Sequence, residues 1–159
     1  MSDVTGPTTA RLTVLSLASI ARDGRVLRQL GAAAGAGWAV TAVTWGAPGD
    51  VPAGIALRPV TPHRFGRAGQ ARQALRLLAG RLSPRAFEAW YWDKPDHRAA
   101  LEAVVDSAPD VIHANDILAL PVAIRAAERT GARVLFDAHE YSTERLPRRT
   151  VLRALGRTL

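Results

Sequence analysis

The chain of 159 residues contains no cysteine. Disulfide staples, thiolate metal sites and cysteine nucleophiles are therefore excluded. Lysine is almost absent, with Lys94 alone among 21 basic residues; arginine supplies the rest. No run approaches the ~18 to 20 uninterrupted apolar residues of a spanning helix. The apolar run Leu12 to Ala21 is short and reads as a buried strand. The start, Met1 to Arg11, lacks the charged-then-apolar layout of a secretory signal. These features make a cytoplasmic protein the expectation. Several motifs are missing too. There is no phosphate-cradling GxxxxGK[ST] loop and no GxSxG nucleophile elbow. Gly31 to Gly37 is glycine-rich but falls at a helix end, whereas a dinucleotide fingerprint opens a helix after a strand. No helix-turn-helix or zinc-finger pattern appears, so nucleic-acid binding would rest on charge alone.

Acidic residues are missing from two stretches. Between Val51 and Phe87 there are seven arginines and no acid, and from Arg145 to Leu159 five arginines and no acid. These stretches more than account for the net charge of +7. Two readings stay open: a solvated basic face, or a surface for an anionic partner such as phosphate, acidic lipid or nucleic acid.

What is present is a 48% hydrophobic chain, enough for one buried core. Leu12 to Leu17 reads as a central strand covered on both faces. Asp23 offers a carboxylate cap to a helix beginning near Gly24, which Gly35 and Gly37 end. Strands follow at Trp38 to Trp45 and Ile55 to Val60. The middle is helical. Ala71, Ala74, Leu75, Leu78 and Leu82 form one apolar stripe, with Arg72 and Arg76 off it. Ser83-Pro84 caps the next helix, in which Phe87, Trp90 and Tyr91 share a face while Trp92 points elsewhere, exposed. After a break at Asp93 to Asp96, a further helix turns Ala100, Leu101, Val104 and Val105 inward. Asp110 to Ala114 is a strand. Ile117 to Thr130 is a helix with Ile117, Leu120, Ile124 and Ala127 on one side, and Pro121 is tolerable there only in the first turn. Ala132 to Phe136 is the last strand. The alternation predicts an α/β, Rossmann-like parallel sheet with right-handed crossovers and helices on both faces. A lead of residues 1–11, a domain over 12–144 and a basic helical tail over 145–159 complete the layout.

Such sheets bind ligands beyond the carboxyl ends of their strands. If the strand order is 3-2-1-4-5, three polar clusters line one rim: Arg22, Asp23 and Arg25; His113, Asn115 and Asp116; Asp137, His139 and Glu140. Each has a structural alternative. Asp23, Asn115 and Asp116 can cap helices, and His139 can bond to backbone. A metal site is the weaker reading, since nothing resembles a closed ligand set.

Three segments carry a resemblance. Arg22-Asp23-Gly24-Arg25-Val26-Leu27-Arg28, followed by Gly37-Trp38-Ala39-Val40-Thr41, resembles the opening of the GT-B retaining glycosyltransferases called family 4, with Trp38 where histidine is usual. Pro109-Asp110-Val111-Ile112-His113-Ala114-Asn115-Asp116 and Leu135-Phe136-Asp137-Ala138-His139-Glu140 are similar to two further segments of that family. The resemblance spans Leu12 to Glu144, poorly so over Val51 to Ala108.

The resemblance implies an N-terminal, acceptor-side domain facing a donor domain across a cleft. The chain stops soon after its fifth strand and has no counterpart of that donor domain, so unaided transfer is not expected. The implied partners are a nucleotide-sugar donor, a glycan, lipid-linked or small-molecule acceptor, and a donor domain in cis or trans. No metal or other cofactor is implied. Residues Arg22 to Arg25 would approach donor phosphates or acceptor. Asp116 and His139 would orient hydroxyls, supported by His113 and Asn115, with Asp137 and Glu140 on the same rim. Family members often touch anionic membranes through a basic surface, for which Arg72, Arg76, Trp92, Arg148 and Arg149 are the candidates. The competing reading is a non-catalytic GT-B half that serves as a binding subunit.

Overall fold

A computed structural model describes residues 9–46, 49, 51–80 and 82–138. His139, Glu140, Arg148, Arg149 and the tail lie outside the described residues. The elements run β1 (Arg11–Ser16), α1 (Gly24–Gly35), β2 (Ala39–Trp45), β3 (Ala56–Val60), α2 (Arg67–Gly80), α3 (Pro84–Trp92), α4 (Pro95–Asp106), β4 (Val111–Asn115), α5 (Leu120–Thr130) and β5 (Arg133–Asp137). All four strand pairings are parallel, in the order β3-β2-β1-β4-β5. The chain leaves β1 in one direction for β2 and β3, then jumps back to β4, so β1 and β4 flank the switch point. This is the α/β, Rossmann-like sheet that the alternation of patterns predicts.

Alternate residues of β1 feed two cores, as strand geometry requires. Val14 packs with Ile20, Val26, Leu30, Val40 and Ala42 beneath α1. Leu15 and Leu17 pack on the opposite face with Val43, Ile112, Ala114 and residues of α3, α4 and α5. Val26 and Leu30, four apart on α1, are both fully buried, each contributing about 2 kcal/mol on the area scale. A charged residue at Val26 would break that contact.

Two helix faces differ from the sequence expectation. In α5 the buried side is Ala119, Val122, Ala123 and Ala126, whereas Ile117 and Ile124 are exposed and the helix starts only at Leu120. The 3.6-residue period is right but its phase is not. Small residues let the helix lie close to the sheet, and the larger ones face out. Pro121 does fall in the first turn. In α2 the stripe of Ala71, Ala74, Leu75, Leu78 and Leu82 is exposed, Leu82 at 90%. The buried residue is instead Gln73, whose Nε2 donates to Asp93 Oδ2 at 2.5 Å. This helix packs on α3, not on the sheet, so no apolar layer waits to receive its leucines.

Helices α3 and α4 carry an aromatic cluster. Tyr91 is buried against His97, with ring centroids 4.2 Å apart, and against Trp92 at 5.1 Å. Trp92 is half-buried rather than exposed, and the Arg125 guanidinium covers it at 4.4 Å. The Tyr91 hydroxyl donates to the carbonyl of Leu118 and so ties α3 to the loop that follows β4. Burial raises the Tyr91 pKa. The hydroxyl thus keeps the proton this bond needs.

Candidate functional site

The rim above β1, β4 and β5 is polar for a reason of register. Ser16, Asn115 and Asp137 are paired neighbours at the carboxyl ends of their strands. Their side chains point to the face that α1 covers. Arg25 and Gln29 lie one helical turn apart on α1, so both reach the same edge.

Asp23 caps α1, its Oδ1 accepting from the backbone N–H groups of Arg25 at 3.1 Å and Val26 at 3.2 Å. Such a cap is worth about 1 kcal/mol. Its other oxygen stands 3.6 Å from the Arg25 guanidinium. The helix end and the arginine are therefore fixed by one carboxylate. Arg25 Nη1 donates to Asn115 Oδ1 at 3.0 Å and pairs with Asp137. Gln29 Nε2 donates to the same Asp137 oxygen at 3.1 Å.

Asn115 is 1% exposed, and its Nδ2 has no hydrogen-bond partner. Gln29 Oε1 is likewise buried and unpartnered. A buried donor without a partner costs about 1 to 3 kcal/mol. Such groups mark places where an incoming polar molecule can bind favourably.

Asp116 follows with φ at 71°, a left-handed conformation that asparagine and aspartate tolerate better than most residues. Its Oδ1 accepts from the N–H of Leu118 at 2.9 Å, which closes the loop. Asp116 does not cap α5; Ala119 holds that position without a side-chain bond. His113 lies lower on β4, buried. Burial pushes its pKa down, with Asp137 opposing and Arg25 reinforcing the shift. It is therefore a neutral imidazole near pH 7.

Arg25, Asn115, Asp137 and Asp23 thus come together, with His113 lower on β4 and Asp116 in the loop that follows it. Arg22 is exposed in the loop before them, outside this network. Gln29 was missed by sequence reasoning; its spacing from Arg25 was the available signal. Arg72 and Arg76 lie elsewhere, paired with Asp93 at 3.2 and 2.7 Å. The hydrogen bond from Arg76 lowers the Asp93 pKa. Among the described residues, no group of three or more carboxylate, histidine or cysteine side chains could hold a metal. No helix among them is long and apolar enough to cross a membrane.

The arrangement is a fixed cation and amide donors at the switch point of a five-stranded parallel sheet. Architecturally this is the Rossmann-like half found in GT-B glycosyltransferases. The calicheamicin glycosyltransferase CalG4 shares the fold, with a TM-score of 0.51 and 16% identity over 81% of this chain and 32% of that one. TcCGT1, solved in complex with UDP, also matches, with a TM-score of 0.51 and 14% identity over 96% of this chain and 33% of that one. The chain therefore spans about a third of the length of these two proteins. No protein-family model and no curated protein matches the sequence.

Proposed function

We propose that this domain is the acceptor-side half of a family 4-like GT-B glycosyltransferase. It would move a sugar from a nucleotide-sugar to a hydroxyl acceptor, together with a donor-binding domain supplied in cis or in trans. The observation that carries this reading is the rim network, with Arg25 locked between Asp23, Asn115 and Asp137 at the switch point. A guanidinium held at that place is preorganised for phosphate oxygens, and its orientation need not be recovered during reaction. Among the described residues the rim offers no obvious nucleophile. Positioning and charge stabilisation are the chemistry it can provide, with Asp116 and His139, the latter outside the described residues, as the residues to orient hydroxyls.

The test is nucleotide release from UDP-, GDP- and dTDP-sugars by the protein expressed from its complete gene. A cell extract would serve as the acceptor source. Release is expected with one donor class, and Arg25→Ala should lower kcat/KM by ~100-fold or more. Release from none of the donors, or an unchanged Arg25→Ala variant, would overturn the reading.

A second feature bears on where the domain works. Leu75, Leu78 and Leu82 are 68%, 45% and 90% exposed on one basic region. Arg64, Arg67 and Arg85 are exposed nearby in sequence. Exposed leucines beside arginines suit peripheral docking on anionic lipid, and a lipid-linked acceptor would then be at hand. Loss of anionic-vesicle binding in a Leu75→Gln, Leu78→Gln variant would support this; no binding by the parent protein would exclude it.

A further inference from the structure

A cleft of about 470 Å³ lies at the far edge of the same rim, between the end of β3 and the first three turns of α4. Pro59 and Val60 form one wall, and Asp96 and Ala103, on the same face of α4, form the other. His63 and Arg64 stand at its mouth, the His63 ring held edge-on against Phe65 with centroids 4.5 Å apart. Asp96 is only 6% exposed, yet its Oδ1 has no hydrogen-bond partner. A buried, unsatisfied carboxyl oxygen beside an open cleft is costly unless a donor arrives.

We infer that this cleft is a specificity subsite for an uncharged, hydroxyl-rich group, such as a sugar ring, with one hydroxyl donating to Asp96. The inference rests on the proposed glycosyl-transfer reading for its role, but not for its binding chemistry. The apolar walls of proline, valine and alanine match the C–H face of a pyranose. Arg64 at the mouth disfavours a cationic ligand. Strands stand about 4.8 Å apart, so β3 is separated from β1, β4 and β5 by roughly 10 to 20 Å along the rim. A ligand anchored here would therefore span toward Arg25 and Asn115 without placing its anchored end at the reacting bond. The cleft would select the non-reacting part of an extended acceptor.

Amide chemical shifts of the full 159-residue chain, titrated with n-hexyl β-D-glucoside, test this. Saturable shifts are expected at His63, Arg64, Asp96 and Ala103. Asp96→Asn should weaken binding at least ~5-fold, since it removes a charged acceptor. Ala103→Phe, which fills the cleft, should abolish the shifts even if Asp96→Asn perturbs folding. Hexylammonium should bind more weakly. Shifts that do not saturate at these residues, or that survive both substitutions, would overturn the subsite. Tighter binding of hexylammonium would overturn the ligand class. Absent nucleotide release with binding intact would instead sink the transferase reading and leave the site standing.

Discussion

Strands β4 and β5 are paired neighbours of similar length and apolar content, yet they meet different surroundings. Ile112 and Ala114 of β4 are wholly buried, while Val134 and Leu135 of β5 are 37% and 53% exposed. The difference is topological. β4 is flanked by β1 and β5, with α5 beneath it. β5 stands at the end of the strand order, and Leu135 shares its face with Asp137, which α1 meets through the polar side chains of Arg25 and Gln29 while Leu135 stays 53% exposed. Apolar sequence makes a strand; its place in the sheet decides whether that strand becomes core.

The largest expected effect breaks or upholds this contrast directly. Ile112→Ala should cost about 2 to 5 kcal/mol, measured by urea unfolding, because its cavity cannot refill. Leu135→Ala should cost under about 1 kcal/mol. Equal costs would mean that something covers β5 in solution, either residues beyond the described ones or a partner.

A smaller effect separates the two histidines that are buried among the described residues. His97 is held at a pKa of about 4, chiefly by burial and then by Lys94, with Asp96 opposing, against an ordinary value of 6.5. Between those values the unfolded chain binds the proton and the folded one does not. Stability therefore falls as pH drops from 6.5 toward 4, by about 3 kcal/mol in all. His113 shifts in the same direction, but Asp137 on β5 opposes it. His97→Leu should flatten most of the pH dependence of the urea midpoint, and His113→Leu less. The reverse order would show that the rim, and not the α3–α4 cluster, dominates acid sensitivity.

Much of the fold was legible in the sequence. The five strands are where apolar runs met glycine and proline punctuation, and the Asp23 cap sits where a carboxylate precedes a helical pattern. The strand order 3-2-1-4-5, taken as a condition in reading the rim, is the one the sheet adopts. Periodicity gives a helix its repeat, but not which of two apolar arcs it buries. In α5 the alanine arc won over the isoleucine arc, and in α2 a glutamine went inside because its partner was Asp93 at the end of α3. The rim was legible only as a set of strand ends. That Arg25 is the residue joining Asn115 and Asp137 depends on α1 crossing above β1 and β4, a tertiary fact. The Asp96 cleft left no trace in sequence, because it forms from residues more than thirty apart on elements that no motif connects.

The smallest expected effect concerns α2. Its leucines resemble those of a core helix, but they are exposed on a helix whose inner contacts run through Gln73 and the arginines to Asp93. Leu75→Gln with Leu78→Gln should change unfolding free energy by no more than about 0.5 kcal/mol, as for most surface substitutions. The same pair should weaken sedimentation with anionic vesicles, the more so at low salt, where lipid attraction to the basic surface is least screened. Destabilisation by several kcal/mol would instead mean that these leucines are covered in the folded protein. The exposed face of α2 would then be an interface with protein, and the contrast between a buried β4 side and an open α2 side would narrow to β5 alone.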